Sequence, residues 1–305
     1  MITVIGEALI DIIIDSQGNV LTSVVGGAPL NTARTLARLG VPATFLGGIS
    51  RDAFGSRMMR LLAEDSVSYA IGRQVPEPTT LAIAELDDKG AATYRFVMEG
   101  TSATALMPDA AVAAVPDGCR AVHAGTLGLV LQPLADATRA VVAAAPADRL
   151  VMIDPNCRPS VMTSSEVFDR TLDAVLARAD IVKVSGDDLA FMRPGEAPLE
   201  AATSLQRQTG AVILFTDGSS SVHVITRDAD VVLEVPRVPV VDTVGAGDSF
   251  SGGFLAQWMN RGLGRADVAD LDQVVRAARF GIAVAGITCQ RAGADPPWAS
   301  ELEPQ

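Results

Sequence analysis

Val241-Asp242-Thr243-Val244-Gly245-Ala246-Gly247-Asp248-Ser249-Phe250 is the stretch from which both the fold and the chemistry can be read. Its glycines stand immediately before a helical pattern that runs over 248–260. Gly245 and Gly247 let the main chain come close to a ligand and adopt conformations other residues avoid. A helix starting at Asp248 aims its unsatisfied N–H groups and positive dipole end at an anion. In phosphoryl transfer such a cradle stabilises charge on the transferred group and the leaving oxygen. Two roles are open to Asp248 at this point. It can cap the helix, or it can be a general base that takes a proton from an attacking hydroxyl, with the helix terminus favouring its ionised form.

Working outward, apolar runs predict strands over 3–6, 43–47, 121–124, 150–154, 181–184, 212–216 and 221–226. Helical periodicity falls between them, over 29–39, 54–65, 131–144, 165–177, 198–209 and 271–285. Strands that are apolar throughout and separated by helices imply an α/β fold, a doubly wound, mainly parallel sheet covered on both faces. Two segments depart from this rhythm. Residues 12–25 read as a hairpin turning at Ser16-Gln17-Gly18-Asn19, and 80–97 as two strands around Asp87-Asp88-Lys89-Gly90. Their alternation suits an antiparallel sheet with one exposed face. A small β lid formed by about 12–25 and 79–98 is the expectation, with edge hairpins of the main sheet as the alternative.

Composition narrows the class. The chain has 305 residues, 49% hydrophobic and 20% charged, and a net charge of −12 that disfavours nucleic-acid or anionic-membrane partners. A phosphate ligand stays possible, because backbone amides supply a local positive field. The start, MITVIGEALIDIII, lacks a basic n-region and reads as a strand. Cys119, Cys157 and Cys289 are scattered and odd in number, which suits reduced thiols in the cytoplasm. Only Lys89 and Lys183 are lysines. No G-x-x-x-x-G-K-[ST] occurs, the V-A-I-K, H-R-D and D-F-G set is missing, and G-x-G-x-x-G does not follow the first strand. P-loop proteins, protein kinases and dinucleotide enzymes are thereby set aside. His123, His223, Trp258 and Trp298 read as structural, and Cys157 lacks a histidine partner in sequence.

The segment DTVGAGDSF resembles the C-terminal signature of the ribokinase-like, or PfkB, carbohydrate kinases. Gly26-Gly27-Ala28-Pro29-Leu30-Asn31-Thr32-Ala33, about 215 residues upstream, resembles the N-terminal signature. The likeness runs from about Ile2 to Pro297 and implies a single ribokinase-like domain over 1–305 with a small β-sheet lid. It implies Asp248 as catalytic base, and Gly245, Ala246 and Gly247 as anion hole. Asp11 would hold sugar hydroxyls beside a wall of Gly26, Gly27 and Asn31. A carboxylate accepts two hydroxyl hydrogen bonds, and an asparagine both donates and accepts. From the residues alone, Asp11 could equally be a turn residue and Asn31 a helix-start residue.

Ile153-Asp154-Pro155-Asn156-Cys157-Arg158-Pro159 resembles the DPN-x-RP segment of fructokinase-like members, with Arg158 facing the sugar or the transferred phosphate. Lys183-Val184-Ser185-Gly186-Asp187-Asp188 falls where the family often carries N-x-x-E. Ser185 and Asp188 replace the Asn and Glu there. Lys183 and Ser185 would meet the nucleotide, and Asp188 would reach magnesium through water, with Asp187 as another carboxylate. Thr216-Asp217-Gly218 resembles the T-x-G turn beside the ATP phosphates, which brings in Thr216 and Gly218. Residues 281–285 and 289–293 match regions near the adenine and a monovalent-cation site. Asp242 and the Val244 carbonyl would hold that cation, with potassium as the candidate. Arg95 and Phe96, on the lid, would close over the sugar.

The expected activity is transfer of a phosphoryl group from ATP, with magnesium, to a primary hydroxyl of a small sugar. D-fructose is favoured over ribose, 2-keto-3-deoxygluconate or a nucleoside, because GGAPLNTA and DPNCRP look most like fructokinases. A non-catalytic sugar-binding regulatory protein is the competing class. The expected assembly is a monomer or a homodimer through the lid.

Overall fold

In a computed structural model of the chain, described for residues 1–87, 91–161 and 164–302, the apolar runs become the strands of one large sheet. Chain order begins with β1 (Ile2–Ile5), β2 (Leu9–Ile14) and β3 (Val20–Gly26), then α1 (Ala28–Arg38), β4 (Ala43–Leu46), α2 (Ala53–Glu64) and β5 (Ser68–Tyr69). It continues through β6 (Thr80–Leu86), β7 (Ala92–Val97), α3 (Pro108–Ala114), β8 (Ala121–Gly125), α4 (Leu134–Ala143), β9 (Leu150–Asp154) and α5 (Ser165–Leu176). The last third holds β10 (Ile181–Ser185), α6 (Gly186–Met192), α7 (Pro198–Thr209), β11 (Val212–Asp217), β12 (Ser221–Ile225), β13 (Asp230–Glu234), α8 (Ala246–Asn260) and α9 (Leu271–Thr288).

The nine-stranded sheet has the order β13-β12-β11-β10-β9-β8-β1-β4-β5. All its pairs are parallel except β11 with β12 and β12 with β13. Successive residues face opposite sides of the pleat. Ile5, Val122, Ile153 and Val182 therefore pack with Leu134, Phe168, Leu172 and Leu205 of α4, α5 and α7. Ile2, Val4, Met152 and Leu214 pack on the other side with Leu30, Met58, Phe254, Trp258 and Val274 of α1, α2, α8 and α9. From β1 the chain runs outward to β4 and then returns to β8 on β1's other side. That reversal opens a crevice beyond the strands' carboxyl ends, where ligands of open α/β sheets bind.

A separate four-stranded sheet has the order β3-β2-β6-β7. The hairpins fall where the alternation put them, and the first turns as expected. Asp15 accepts hydrogen bonds from the backbone of Gln17 and Asn19, and Gly18 sits at φ 84°. Of the second turn, Asp88, Lys89 and Gly90 lie outside the described residues. The expectation of a purely antiparallel sheet is corrected: β2 and β6 pair in parallel, Leu9 opposite Thr80. The two hairpins join through their first strands, which both run away from the main sheet, and a pairing between segments about 70 residues apart leaves no mark in local alternation.

Candidate active site

The cradle is built differently from the sequence expectation in one respect. Helix α8 starts at Ala246, not at Asp248, and Gly245 is its N-terminal flanking residue, at φ 76°. A side chain there is excluded twice, by that backbone conformation and by Ala294, whose Cβ would stand 2.5 Å from an added β-carbon. Asp248 is thus not the cap. It lies within the first turn, 8% exposed, and its Oδ2 accepts a hydrogen bond from Asn31 Nδ2 at 2.9 Å. The capping role left open for this residue is taken by backbone alone, so its carboxylate is free for chemistry.

The electrostatics also differ. Burial pushes the Asp248 carboxyl up to about 6, against the lowering effect of the Asn31 hydrogen bond; Asp154 adds to the rise, and Lys183 and Arg158 pull it back. Desolvation outweighs the helix dipole here. The result is a carboxylate still mostly ionised at neutral pH yet basic enough to take a proton, which suits a general base.

The acceptor side is formed by the first hairpin and α1. Asp11, half-buried on β2, is raised to about 6 by burial, with Arg158 pulling it back. Its Oδ2 would lie 2.1 Å from a β-carbon on Gly26, so only glycine lets the carboxylate lie across the end of β3. Gly27 flanks the start of α1. Asn31 Oδ1 is buried without a hydrogen-bond partner, an acceptor that a ligand hydroxyl would satisfy. A cavity of about 360 Å³ is lined by Asp11, Gly26, Asn31, Arg57, Arg60 and Val244 among others. Arg158 is exposed, and its field reaches Glu7, Asp11 and Asp248 alike.

On the other side of the α8 start lies a larger cavity of about 1250 Å³, walled by Thr216, Gly218, Val235, Val238, Ala246, Gly247, Ile282, Ala285 and Cys289 among others. Lys183 sits beneath the cradle: its Nζ would be 3.0 Å from a β-carbon on Gly247. It is buried and paired with Asp154 at 3.1 Å, and Asp154 also accepts from Ser251. Ser185 and Asp188 form a reciprocal cap on α6. Asp188 Oδ2 accepts from the Ser185 backbone and hydroxyl at 2.8 and 2.6 Å, and its Oδ1 accepts from Cys157 N at 2.6 Å. Oδ1 therefore ties the 154–158 turn to α6, while Oδ2 closes the cap. The adjacent Asp187 is exposed. Asp242 bridges two loops, accepting from Val244 N at 3.0 Å and Gly293 N at 2.8 Å.

Arg95 is not brought to the site. Its side chain is 69% exposed and pairs with Glu85 at 3.2 Å. The register explains why: Asp11 stands opposite Ala82 and Ala82 opposite Phe96, so Phe96 shares the face of Asp11 and Arg95 takes the other. Glu7, which sequence reasoning passed over, is 1% exposed and lies just past β1, after Gly6. Burial raises it to about 8, and its Oε1 accepts from Ala28 N at 3.3 Å. The sequence signal was a lone acid inside ITVIGEALI, where a charge has no business unless something compensates it. His123 is buried and held neutral, and Cys157 is buried with its thiol pushed up, both as structural residues should be.

A fructokinase of Rhizobium leguminosarum bv. trifolii is 35% identical over 284 residues, covering 90% of this chain and 84% of that protein. The crystal structure of a fructokinase with bound ATP from Xylella fastidiosa superposes with a TM-score of 0.82 at 27% identity, covering 96% of this chain and 93% of that one. The fold alone is shared with aminoimidazole riboside kinase from Salmonella enterica, at a TM-score of 0.80, 24% identity, and 96% and 94% coverage. With the pfkB family carbohydrate kinase profile matched over residues 1–301, the chain belongs to that family of carbohydrate kinases.

Proposed function

We propose that the protein transfers the γ-phosphoryl group of ATP to a primary hydroxyl of a small sugar, D-fructose giving fructose 6-phosphate. The observation that carries this reading is the place of Asp248. It is buried at the start of a helix whose first residues line the larger cavity, and it is tied to Asn31, which lines the smaller one. The larger cavity suits ATP. The smaller, with Asp11, Gly26 and Asn31 in its wall and Gly27 beside it at the start of α1, suits a sugar. Asp248 takes the hydroxyl proton, the hydroxyl oxygen bonds to the γ-phosphorus, and the bridging oxygen leaves with ADP. The amides of Gly245, Ala246 and Gly247 meet the developing charge, with Lys183 behind them. Thr216 and Gly218 border the phosphates, and Arg158 sits over the acceptor. Fructose is chosen because the relatives in Rhizobium and Xylella are fructokinases.

Magnesium supplies neutralisation of the phosphate charge when it arrives with ATP. Among the described residues no three acidic, His or Cys groups cluster as a ready metal site, which fits an ion held mainly by phosphates and water. Asp188 Oδ1 keeps a lone pair beyond its bond from Cys157 N, enough for a water-bridged contact, and the exposed Asp187 is the alternative carboxylate. Asp242 and the Val244 carbonyl would hold a monovalent cation, each Asp242 oxygen having a lone pair beyond its amide bond. The small sheet would close over the sugar, with Phe96 rather than Arg95 facing it. Its exposed Val20, Leu21, Val24, Tyr94 and Val97 suit a homodimer, and sedimentation would test that. Free Cys119, Cys157 and Cys289 suit the cytoplasm. The functional test is a sugar panel with ATP and magnesium, with and without potassium. ADP release with fructose above ribose, 2-keto-3-deoxygluconate and nucleosides is expected. No sugar phosphate from any acceptor would refute the kinase reading and favour a sugar-binding regulator.

A further inference from the structure

Helix α1 carries more than Asn31. One turn further on, Arg34 is 5% exposed. Its Nε donates to Asp65 Oδ2 at 2.6 Å, and its Nη1 donates to the Ala294 carbonyl at 3.0 Å. Arg38, the next turn, donates to Asp65 Oδ1 at 2.8 Å, to Asp295 Oδ1 at 2.6 Å and to the Pro296 carbonyl at 2.5 Å. Asp65 is 1% exposed. One buried carboxylate therefore serves two guanidiniums, whose other donors go to one loop, 294–296.

That loop backs the phosphate cradle. Ala294 is the residue that abuts Gly245, and the loop's near end is held because Gly293 N donates to Asp242, which also receives Val244 N. Asp242 grips the loop from the cradle side and Arg34 grips it from α1. Stability alone does not account for burying a guanidinium here, since an apolar residue of similar volume commonly does as well or better. What an apolar residue cannot do is fix a carbonyl in direction, whereas a guanidinium's rigid fork reaches two acceptors at once.

We propose that Arg34 is a positioning residue for phosphoryl transfer: it holds Ala294, the residue of the 294–296 loop that abuts Gly245, while Arg38 holds only Asp295 and Pro296, so that the amides of residues 245–247 stay aimed at the transferred group. Because Asn31 lies on the same helix, α1 sets both the base and the cradle. The proposal rests on the kinase reading for its kinetic consequence but not for its structural one.

The experiment compares Arg34→Lys, Arg34→Gln and Arg38→Gln in the full chain. Arg34 and Arg38 share Asp65, so both glutamine variants lose stability, but only Arg34 touches Ala294. Arg34→Gln should lower kcat about 30-fold with the sugar KM within about threefold, the scale of a slightly misplaced catalytic group. Arg38→Gln should stay within about threefold in kcat. Arg34→Lys keeps the charge facing Asp65 and tests the idea if the glutamine variant does not fold. Its ammonium cannot span both acceptors, so kcat should fall about tenfold at near-native melting temperature. Amide hydrogen exchange over 245–249 reads the cradle without turnover, and it should be faster in both Arg34 variants than in Arg38→Gln. Wild-type kcat in Arg34→Lys, or unchanged exchange over 245–249, would overturn the proposal. Absence of turnover in the wild type would instead refute the kinase reading.

Discussion

The start of α8 and the small sheet beside it treat charge in opposite ways. Around the cradle, Asp154, Lys183 and Asp248 are buried and each has a fixed partner. On the small sheet, Arg95 and Tyr94 are largely exposed, and the Arg95–Glu85 pair lies in solvent. Burying a charge costs several kcal/mol unless it is paired and hydrogen-bonded. The protein accepts that cost around the start of α8 and avoids it on the small sheet. On this contrast, changes at the cradle should act on kcat and stability, and changes on the small sheet should act on substrate affinity alone.

The largest effect is expected at Asp248. Asp248→Asn keeps shape and the neighbourhood of Asn31 but removes the base, so kcat should fall roughly 10³-fold while fructose affinity by calorimetry changes little. Lys183 comes next. Lys183→Met strands the Asp154 charge in the core and should cost about 3–5 kcal/mol in denaturant unfolding. Adding Asp154→Asn should recover much of the stability but not the turnover, which separates the structural from the phosphate-facing part of the pair.

Glu7 gives a smaller, pH-dependent effect. Its folded-state value of about 8 lies above its ordinary 4.5, so the folded protein binds that proton more tightly than the unfolded chain. Its contribution to stability is present below about 4.5 and is lost as pH rises through about 8. The melting temperature should therefore decline across that window. Glu7→Gln, which mimics the protonated acid, should flatten the decline. The smallest effects belong to the small sheet. Phe96→Ala should raise the fructose KM about fivefold, and Arg95→Ala should change neither KM nor kcat by more than about twofold, consistent with its exposed pair. A larger effect at Arg95 than at Phe96 would reverse the assignment of faces.

What the sequence disclosed, it disclosed where one segment carries its own meaning. Gly245 to Asp248 announce a helix start with an anion site, and the apolar strands announce a parallel sheet, because both signals lie within a few residues. The chain hid what depends on pairing between distant segments. The hydrogen bond of Asn31 to Asp248 spans 217 positions, and nothing local to either segment announces it. The same holds for Arg34 with Ala294, for Asp188 with Cys157, and for the parallel register of β2 and β6 that turns Arg95 outward. Short elements were also lost. Helix α6, seven residues long, reads in sequence as a polar turn because its first turn is Gly-Asp-Asp. Strand β13 is an edge strand whose acidic ends mask a three-residue apolar centre.

The central claim is that a buried carboxylate at position 248 accepts the sugar proton. The most direct test is the pH dependence of kcat/KM for fructose, which reports the ionisation of the free enzyme. An acid limb near pH 6 is predicted for the wild type, matching the value to which burial raises Asp248 and falling about tenfold per unit below it; because burial raises Asp11 to the same range, the comparison is made in an Asp11→Asn background, where the limb should persist and then vanish when Asp248→Asn is added. A profile flat from pH 5 to 7, or one whose acid limb survives the addition of Asp248→Asn, would contradict the account.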